Sequence, residues 1–289
     1  MSPVARSLIQ VNASVLLLGL VPLFAKLVAL PAVSIITWRS LVGGAVLIAW
    51  LAWRRERWHL NGWRDRWLVI LLGVLMAVHW STYFQAIQVS TVAVAVVAMF
   101  TWPVMAVLIE PLFNADGWHP RDLGLAVLAL VGVGLVVPDF SLASEHLAGA
   151  LWGLGSALLF ALRNVLYRRY LTGYSGSLMM TWQLVVIVLC LGAFARPAET
   201  ASDWGLLVVL GAVFTAFAHT LFVASMQHLP AKSAGMISCL QPVYGIVAAA
   251  VVLGEIPPGR TMIGALLVLL VAVAETVGVP RRRAAEAAT

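Results

Sequence analysis

The chain has 289 residues, of which 62% are hydrophobic and only 10% charged, with a mean hydropathy of +0.98 and a formal charge of +6. A soluble domain needs far more polar surface than that, and about ten spans of roughly 20 residues leave no room for a nucleotide-binding module. The basic residues lie in short connections and form no stripe, which argues against nucleic acid and for the positive-inside asymmetry of a membrane protein.

Runs with few or no charges fall at about 8–29, 32–53, 67–88, 91–113, 123–137, 147–167, 177–195, 204–226, 233–253 and 261–279, and each predicts a transmembrane helix. The first carries Asn12 and Lys26 and lacks a small-residue cleavage site, so it reads as a retained span and not a signal peptide. The second opens on Thr37-Trp38-Arg39 and continues through Gly43-Gly44, a pair that permits close helix approach. His79, Trp80 and Tyr83 stand in the middle of the third, and Trp102-Pro103 in the middle of the fourth. The fifth is short, bracketed by Arg121 and Asp122 on one side and Pro138 and Asp139 on the other, so it runs nearly upright or thins the bilayer locally. The sixth has Gly149 and Gly153 early and Arg163-Asn164 late; the seventh has Thr181-Trp182-Gln183; the eighth has His219 and Phe222. The ninth holds Ser238, Gln241, Pro242 and Tyr244, and Gly254-Glu255 precedes the tenth. Cys190 and Cys239 lie in apolar runs, where a thiol packs as a small hydrophobe, and two isolated cysteines make neither a disulfide framework nor a metal site. The whole is expected to be all-α, one polytopic membrane domain over residues 1–289.

Alternate connections separate by charge. Arg6, the cluster Arg54, Arg55, Arg57, Arg64 and Arg66, then Arg121, Arg168, Arg169, Lys232 and Arg281 to Arg283 fall on one side, thirteen basic residues, against Arg196 and Arg260 on the other. Both termini are therefore expected in the cytoplasm. Trp53, Trp58, Trp67, Trp118 and Trp204 lie near span ends, as an aromatic belt places them.

The spans also echo one another. Gln88 precedes Pro103 by fifteen residues and Gln227 precedes Pro242 by fifteen; Thr37-Trp38-Arg39 matches Thr181-Trp182-Gln183; Phe24-Ala25-Lys26 matches Phe160-Ala161-Leu162-Arg163. Three echoes in matching order predict two five-helix halves, 8–138 and 147–279. Five is odd, so the second half enters the membrane in the opposite sense and the repeat is inverted. On this reading Lys26 lies toward the outer end of its span and Arg163 toward the inner end of its own.

With the paired prolines, Arg39 in the second span and Gly254-Glu255 before the last, the chain resembles the drug/metabolite transporter superfamily of EamA type over about residues 8–279. Within it the likeness is greatest to the YddG group of exporters of aromatic and hydrophobic amino acids in bacterial inner membranes. The resemblance implies alternating access through a central cavity lined by both halves.

The residues themselves point to where such a cavity lies. Pro103 and Pro242 each remove a backbone N–H near mid-span, leaving the carbonyls of Met99 and Ser238 without a helical donor. In hydrocarbon this is tolerated only where something re-satisfies the group, so a matched pair indicates a polar cavity at the midplane and two hinges, the plain alternative being ordinary packed kinks. His79, Tyr83, Trp102, His219, Ser238, Gln241 and Tyr244 mix aromatic surface with a few polar anchors, the composition of a site for a small amphipathic molecule. Trp102 and Tyr83 supply the flat surface, His79 and Gln241 anchor the charged end. Lys26, Arg39 and Arg163 each cost roughly 2.5 to 3.5 kcal/mol if placed at a helix centre. Arg39 is read either as a structural donor or as a substrate contact, Arg163 as a gate. The field inside the spans is positive or neutral, which suits a carboxylate or zwitterion and disfavours a cation.

The expected substrate is thus a zwitterionic aromatic or hydrophobic amino acid, exported without a cofactor or metal, with the lipid bilayer as the other partner. The oligomeric state stays open, and a monomer is compatible with the layout. A multidrug carrier for aromatic cations needs an acid in the first span, which has none, and a nucleotide-sugar carrier needs more cations than three. An intramembrane enzyme is the remote alternative: Asp65, Asp116, Asp122, Asp139 and Asp203 all lie in connections, and neither His-Glu-x-x-His nor Gly-x-Ser-x-Gly occurs.

Overall fold

The computed structural model describes residues 3–56, 58–113, 120–137, 141, 143–171, 173–225 and 237–286. Every regular element among them is helical, as hydrocarbon demands of a chain that must satisfy its own backbone. Seven helical stretches are long and apolar enough to cross a membrane, from Ala5–Leu27 to Ala201–Phe222, and Gln241–Val252 and Gly259–Ala274 are shorter apolar helices.

The first stretch is α1 (Pro3–Leu20), continued through a 3-10 turn at Val21–Leu23 around Pro22 into α2 (Phe24–Leu27). Then come α3 (Ala32–Trp53), α4 (Gly62–Val89), α5 (Val92–Met99), α6 (Trp102–Ile109), α7 (Pro120–Val136), α8 (Glu145–Tyr170) and α9 (Gly176–Leu191). The series closes with α10 (Ala201–Gly211), α11 (Ala218–Ser225), α12 (Gln241–Val252) and α13 (Gly259–Glu286). Hydroxyl caps set several starts: Thr91 accepts from Val94 N, Ser144 from Leu147 N, Ser175 from Leu178 N and Thr200 from Asp203 N.

Two elements depart from expectation. The charge-bracketed fifth span starts earlier than its apolar run, because Pro120 suits the first helical turn and Arg121 and Asp122 are drawn into it. Arg121 Nη2 donates to the Ala274 carbonyl of α13 at 3.2 Å. The eighth span contains a π-helical segment, Ala212–Phe217, between α10 and α11. There Thr215 Oγ1 donates to the Leu210 carbonyl five residues back, at 2.8 Å, which holds the turn wide.

The helices pack in a definite set of pairs: α4 along α8, α7 along α13, α3 along α9, α1 along α11 and α12 along α5. Close approach is made by glycine. A Cβ on Gly264 would sit 2.4 Å from the Gly132 carbonyl, so α7 and α13 touch backbone to backbone, and Gly149 and Gly153 of α8 abut Ser90 and Ala98. Gly43 of the expected Gly43-Gly44 contact abuts the Gly211 carbonyl.

Loop contacts define two ends of the bundle. At one end Lys26, Ser90, His146 and Glu255 gather, and Ala29 N donates to Asp203 Oδ1. At the other the Tyr174 hydroxyl donates to Asp65 and accepts from Asn61 N, and the Ser175 hydroxyl donates to Glu56.

Candidate functional site

His79 and Tyr83 are one turn apart on α4 and share a face. That face meets α8. His79, 2% exposed, lies with Nδ1 2.7 Å from Ser156 Oγ and 3.0 Å from the Ser156 carbonyl, and the Ser156 hydroxyl donates back to the His79 carbonyl at 3.0 Å. Its ring stacks on Phe160 at 4.6 Å between centroids, and Phe160 meets Trp102 of α6 edge-on at 5.1 Å. Tyr83 continues the stack 6.4 Å from His79. The structure thus joins His79, Tyr83 and Trp102 into one aromatic wall through Phe160, which the sequence had marked only as part of a repeat. His79 and Tyr83 are buried in it, whereas Trp102 and Phe160 are half-buried.

A second group centres on Arg39, also 2% exposed. Its Nε and Nη2 both donate to Thr215 Oγ1, at 3.1 and 2.9 Å. The guanidinium lies 4.2 Å from the Trp80 ring centroid and 5.4 Å from that of Phe84, a cation–π seat in a desolvated setting. His219 stands beside Trp80, 6.4 Å away, with Nδ1 2.8 Å from the Thr215 carbonyl. Thr215 therefore links Arg39, the π turn and His219. Sequence reasoning missed it, since one threonine in an apolar run carries no signal.

Arg163 is held differently. Its Nε and Nη2 donate to Gln183 Oε1 at 3.0 and 2.9 Å, and Nη1 donates to Asn164 Oδ1 at 2.7 Å, with Tyr167 packed 5.3 Å from its charge. Gln183 is the residue that matches Arg39 in the second Thr-Trp echo.

Lys26 belongs to the end cluster. Nζ donates to the Ser90 carbonyl at 2.6 Å and lies 3.8 Å from Glu255 Oε1, while Glu255 Oε2 accepts from Val92 N in the first turn of α5 at 2.8 Å. Gly254 makes this possible: at φ +70° it turns the chain back at the end of α12, where Leu253 N and Glu255 N both donate to the Ala249 carbonyl. A cavity of about 320 Å³ beside it is lined by Thr91, His146, Glu255, Pro257 and Thr261, among others.

The prolines start new helices at matching places. Phe100 and Thr101 form the turn before Trp102-Pro103, and Cys239 and Leu240 the turn before Gln241-Pro242, so both prolines occupy the first turn of the helix that follows. The Thr101 hydroxyl donates to the Ala98 carbonyl at 2.8 Å at the first break. Gln241, Ser238 and Tyr244 are placed at the second, away from the aromatic wall. Tyr244 packs with Val11, Val15, Phe222 and Ile237, and the Gln241 backbone crosses Gly19 of α1. Gln227 of the glutamine–proline echo lies outside the described residues. Among the described residues no three His, Cys, Asp or Glu side chains are placed to hold a metal ion.

Membrane-length helical stretches, one broken at Pro103 and matched by the break before Pro242 in a shorter helix, and one widened by a π turn, with cations and aromatics in their middle, define a polytopic membrane protein of the transport class. The chain belongs to the EamA-like transporter family, whose profile matches residues 6–137 and again 147–274. It is 27% identical over 260 residues to the uncharacterised transporter PA0485 of Pseudomonas aeruginosa, covering 82% of each chain. It is 24% identical over 285 residues to the threonine/homoserine exporter RhtA of Salmonella typhimurium, covering 96% of this chain and 90% of that one. The pseudopaline exporter CntI of Pseudomonas aeruginosa is 24% identical over 250 residues, covering 85% and 86%. One solved crystal structure superposes with a TM-score of 0.64 over 96% of this chain and 98% of its own at 21% identity, a likeness of fold. The family and these relatives are transporters, not enzymes.

Proposed function

We propose that the protein exports small amphipathic metabolites, zwitterionic aromatic and hydrophobic amino acids foremost, across a bacterial inner membrane by alternating access. The observation that carries this reading is the aromatic wall of Trp102, Phe160, His79 and Tyr83 at the first proline break, with the uncompensated charges of Arg39 and Arg163 close by. It offers apolar surface and attraction for a carboxylate, and none of these residues is an acid that would hold a cation. Two relatives are named as exporters, one of threonine and homoserine, which supports both the direction and the amino-acid class.

Ten spans in two inverted halves, with both termini in the cytoplasm, are part of the same reading. Numbering the spans one to ten, the observed packing pairs spans two with seven, four with nine and five with ten, and spans one with eight and three with six. A twofold axis that exchanges the halves requires such a set, since it maps the first three pairs onto themselves and swaps the last two.

Reconstituted protein in vesicles loaded with an amino-acid mixture tests the proposal. Phenylalanine, tryptophan, leucine and valine should leave faster than from protein-free vesicles, unchanged in mass. Trp102→Ala should slow the aromatic substrates about two- to tenfold more than valine, the value of one stacking contact. Efflux of threonine alone would retain export and remove the aromatic preference; no efflux of any amino acid would shift the reading to another metabolite or a drug.

A further inference from the structure

We propose that the Arg39 guanidinium is the seat of a carboxylate on the transported molecule, an inference that rests on the transport reading but not on which amino acid is carried. Arg39 is almost wholly buried, and the side chains against its guanidinium are those of Thr215, Trp80 and Phe84, none of them an acid. Among the described residues Thr215 Oγ1 accepts from its Nε and Nη2, and Nη1 has no partner. Arg163 makes the contrast: all three of its nitrogens are bonded to amide oxygens.

The helices that pack at α3 hold further unpartnered polar atoms. Five buried side-chain polar atoms lack a partner among the described residues: Arg39 Nη1, Ser40 Oγ, Ser81 Oγ, Trp182 Nε1 and Gln183 Nε2. They sit on α3, α4 and α9, three helices that pack on one another. Three of the five are nitrogens that can only donate, and the other two are hydroxyls. Buried donors without acceptors are rare because each forfeits its hydration. A buried guanidinium with a donor that has no partner among the described residues is complementary to a compact group with negative charge and lone pairs.

A carboxylate fits that description and the planar fork of arginine, whose bidentate pairing with it is shorter and stronger than a bond to a neutral oxygen. Thr215 Oγ1 is the neutral acceptor the carboxylate displaces. Trp80 and Phe84 form the apolar floor on which the guanidinium stays aligned, and one arginine suits one carboxylate better than a doubly charged phosphate. Aromatic or aliphatic side chains then extend toward the wall of Trp102 and Phe160, and the carboxylate anchor is common to all of them.

The test uses the purified full-length protein in detergent, with the thermal unfolding midpoint followed against acid and amide pairs: phenylacetate with phenylacetamide, L-phenylalanine with L-phenylalaninamide, L-threonine with L-threoninamide, and inorganic phosphate besides. At least one acid should stabilise the wild type at a concentration about tenfold or more below that of its amide. In Arg39→Gln the acid should lose that advantage, and in Arg39→Lys, which keeps charge without the fork, it should lose most of it. Equal stabilisation by acids and amides, stabilisation by none of the acids, stabilisation by phosphate alone, or an undiminished preference in a folded Arg39→Gln would each overturn the proposal. If that variant does not fold, the wild-type acid and amide pairs decide by themselves. Acid preference lost in Arg39→Gln in a protein that exports no amino acid would leave this seat standing and remove the amino-acid reading; export of amino acids without acid preference would do the reverse.

Discussion

Gly153 and Gly155 sit two residues apart on α8, yet a methyl group would meet opposite surroundings at the two positions. A Cβ on Gly153 lies 2.7 Å from the Ala98 Cβ and 3.2 Å from the Ala95 carbonyl, whereas one on Gly155 meets nothing within 4 Å. Neither glycine is needed for backbone conformation, since both are helical, so helix propensity favours alanine at either by about 0.5–1 kcal/mol. At Gly153 overpacking of about 1–3 kcal/mol outweighs this gain, because Ala98 belongs to α5 and the clash lies between two main chains that cannot rotate away. Gly153→Ala should lower the unfolding midpoint of the purified protein and Gly155→Ala should leave it unchanged or raise it. Equal midpoints for the two variants would show that α5 and α8 are not in contact at this depth. The same reasoning explains why small residues, and not larger apolar ones, stand where helices meet in lipid: association there gains little from hydrophobicity and much from close fit.

At the scale of the element, the breaks at Pro103 and Pro242 are the features proposed as hinges. Proline at either place denies the carbonyl four residues earlier its helical donor, and the structure answers by ending one helix and starting another within two residues. Pro103→Ala or Pro242→Ala restores an N–H and favours a continuous helix. Each should slow efflux from loaded vesicles severalfold while changing substrate-induced stabilisation little. Parental rates in both variants would make the breaks structural kinks. These breaks were legible because proline acts on its own helix, at a fixed offset, so sequence position gives the location. The seven membrane-length stretches were legible for a similar reason, since bilayer thickness sets the length of an apolar run. The π segment at Ala212–Phe217 was not, because a threonine that donates five residues back is indistinguishable in sequence from one that does not, and its contact with Arg39, 176 residues away, exists only in the fold. The candidate site divides along the same line. His79, Tyr83 and Trp102 stood out as polar and aromatic residues at helical spacing, whereas Ser156 and Thr215 became visible only once α4 had been laid along α8 and α3 against the π turn. Tyr244 stood out beside Pro242 as Trp102 did beside Pro103, but it packs against Val11 and Val15 of α1, where the Gln241 backbone also crosses Gly19.

Over the whole molecule, the arrangement of charge assigns the two ends of the bundle to the two sides of the membrane. Arg196 and Arg260 lie at the end where Lys26 meets Glu255: Arg196 N donates to Ser34 Oγ near the start of α3, and Arg260 Nη2 reaches the Gly134 carbonyl near the end of α7. The Arg54 to Arg66 connection lies at the opposite end, where Arg54 packs on Trp50 and Arg64 on Tyr170. On the proposed topology the positive-inside rule puts the arginine-rich end in the cytoplasm, and the acid–base cluster of Lys26, His146 and Glu255 would then face outward. Asn61 and Ser202 are exposed positions that report on the two ends. Asn61 N donates to Tyr174 OH beside Asp65 at 2.7 Å, and Ser202 precedes Asp203, whose Oδ1 accepts from Ala29 N near Lys26. Single cysteines at Asn61 and Ser202, in a background with Cys190 and Cys239 replaced by alanine, should be labelled from opposite sides. An impermeant thiol reagent added to intact cells should modify the cysteine at Ser202, and that at Asn61 only after the membrane is opened. The reverse pattern would keep the bundle and invert its orientation, placing the Lys26 cluster in the cytoplasm; labelling of both in intact cells would break the assignment of the two positions to opposite ends, and with it the packing of α4 against the loop that carries Tyr174.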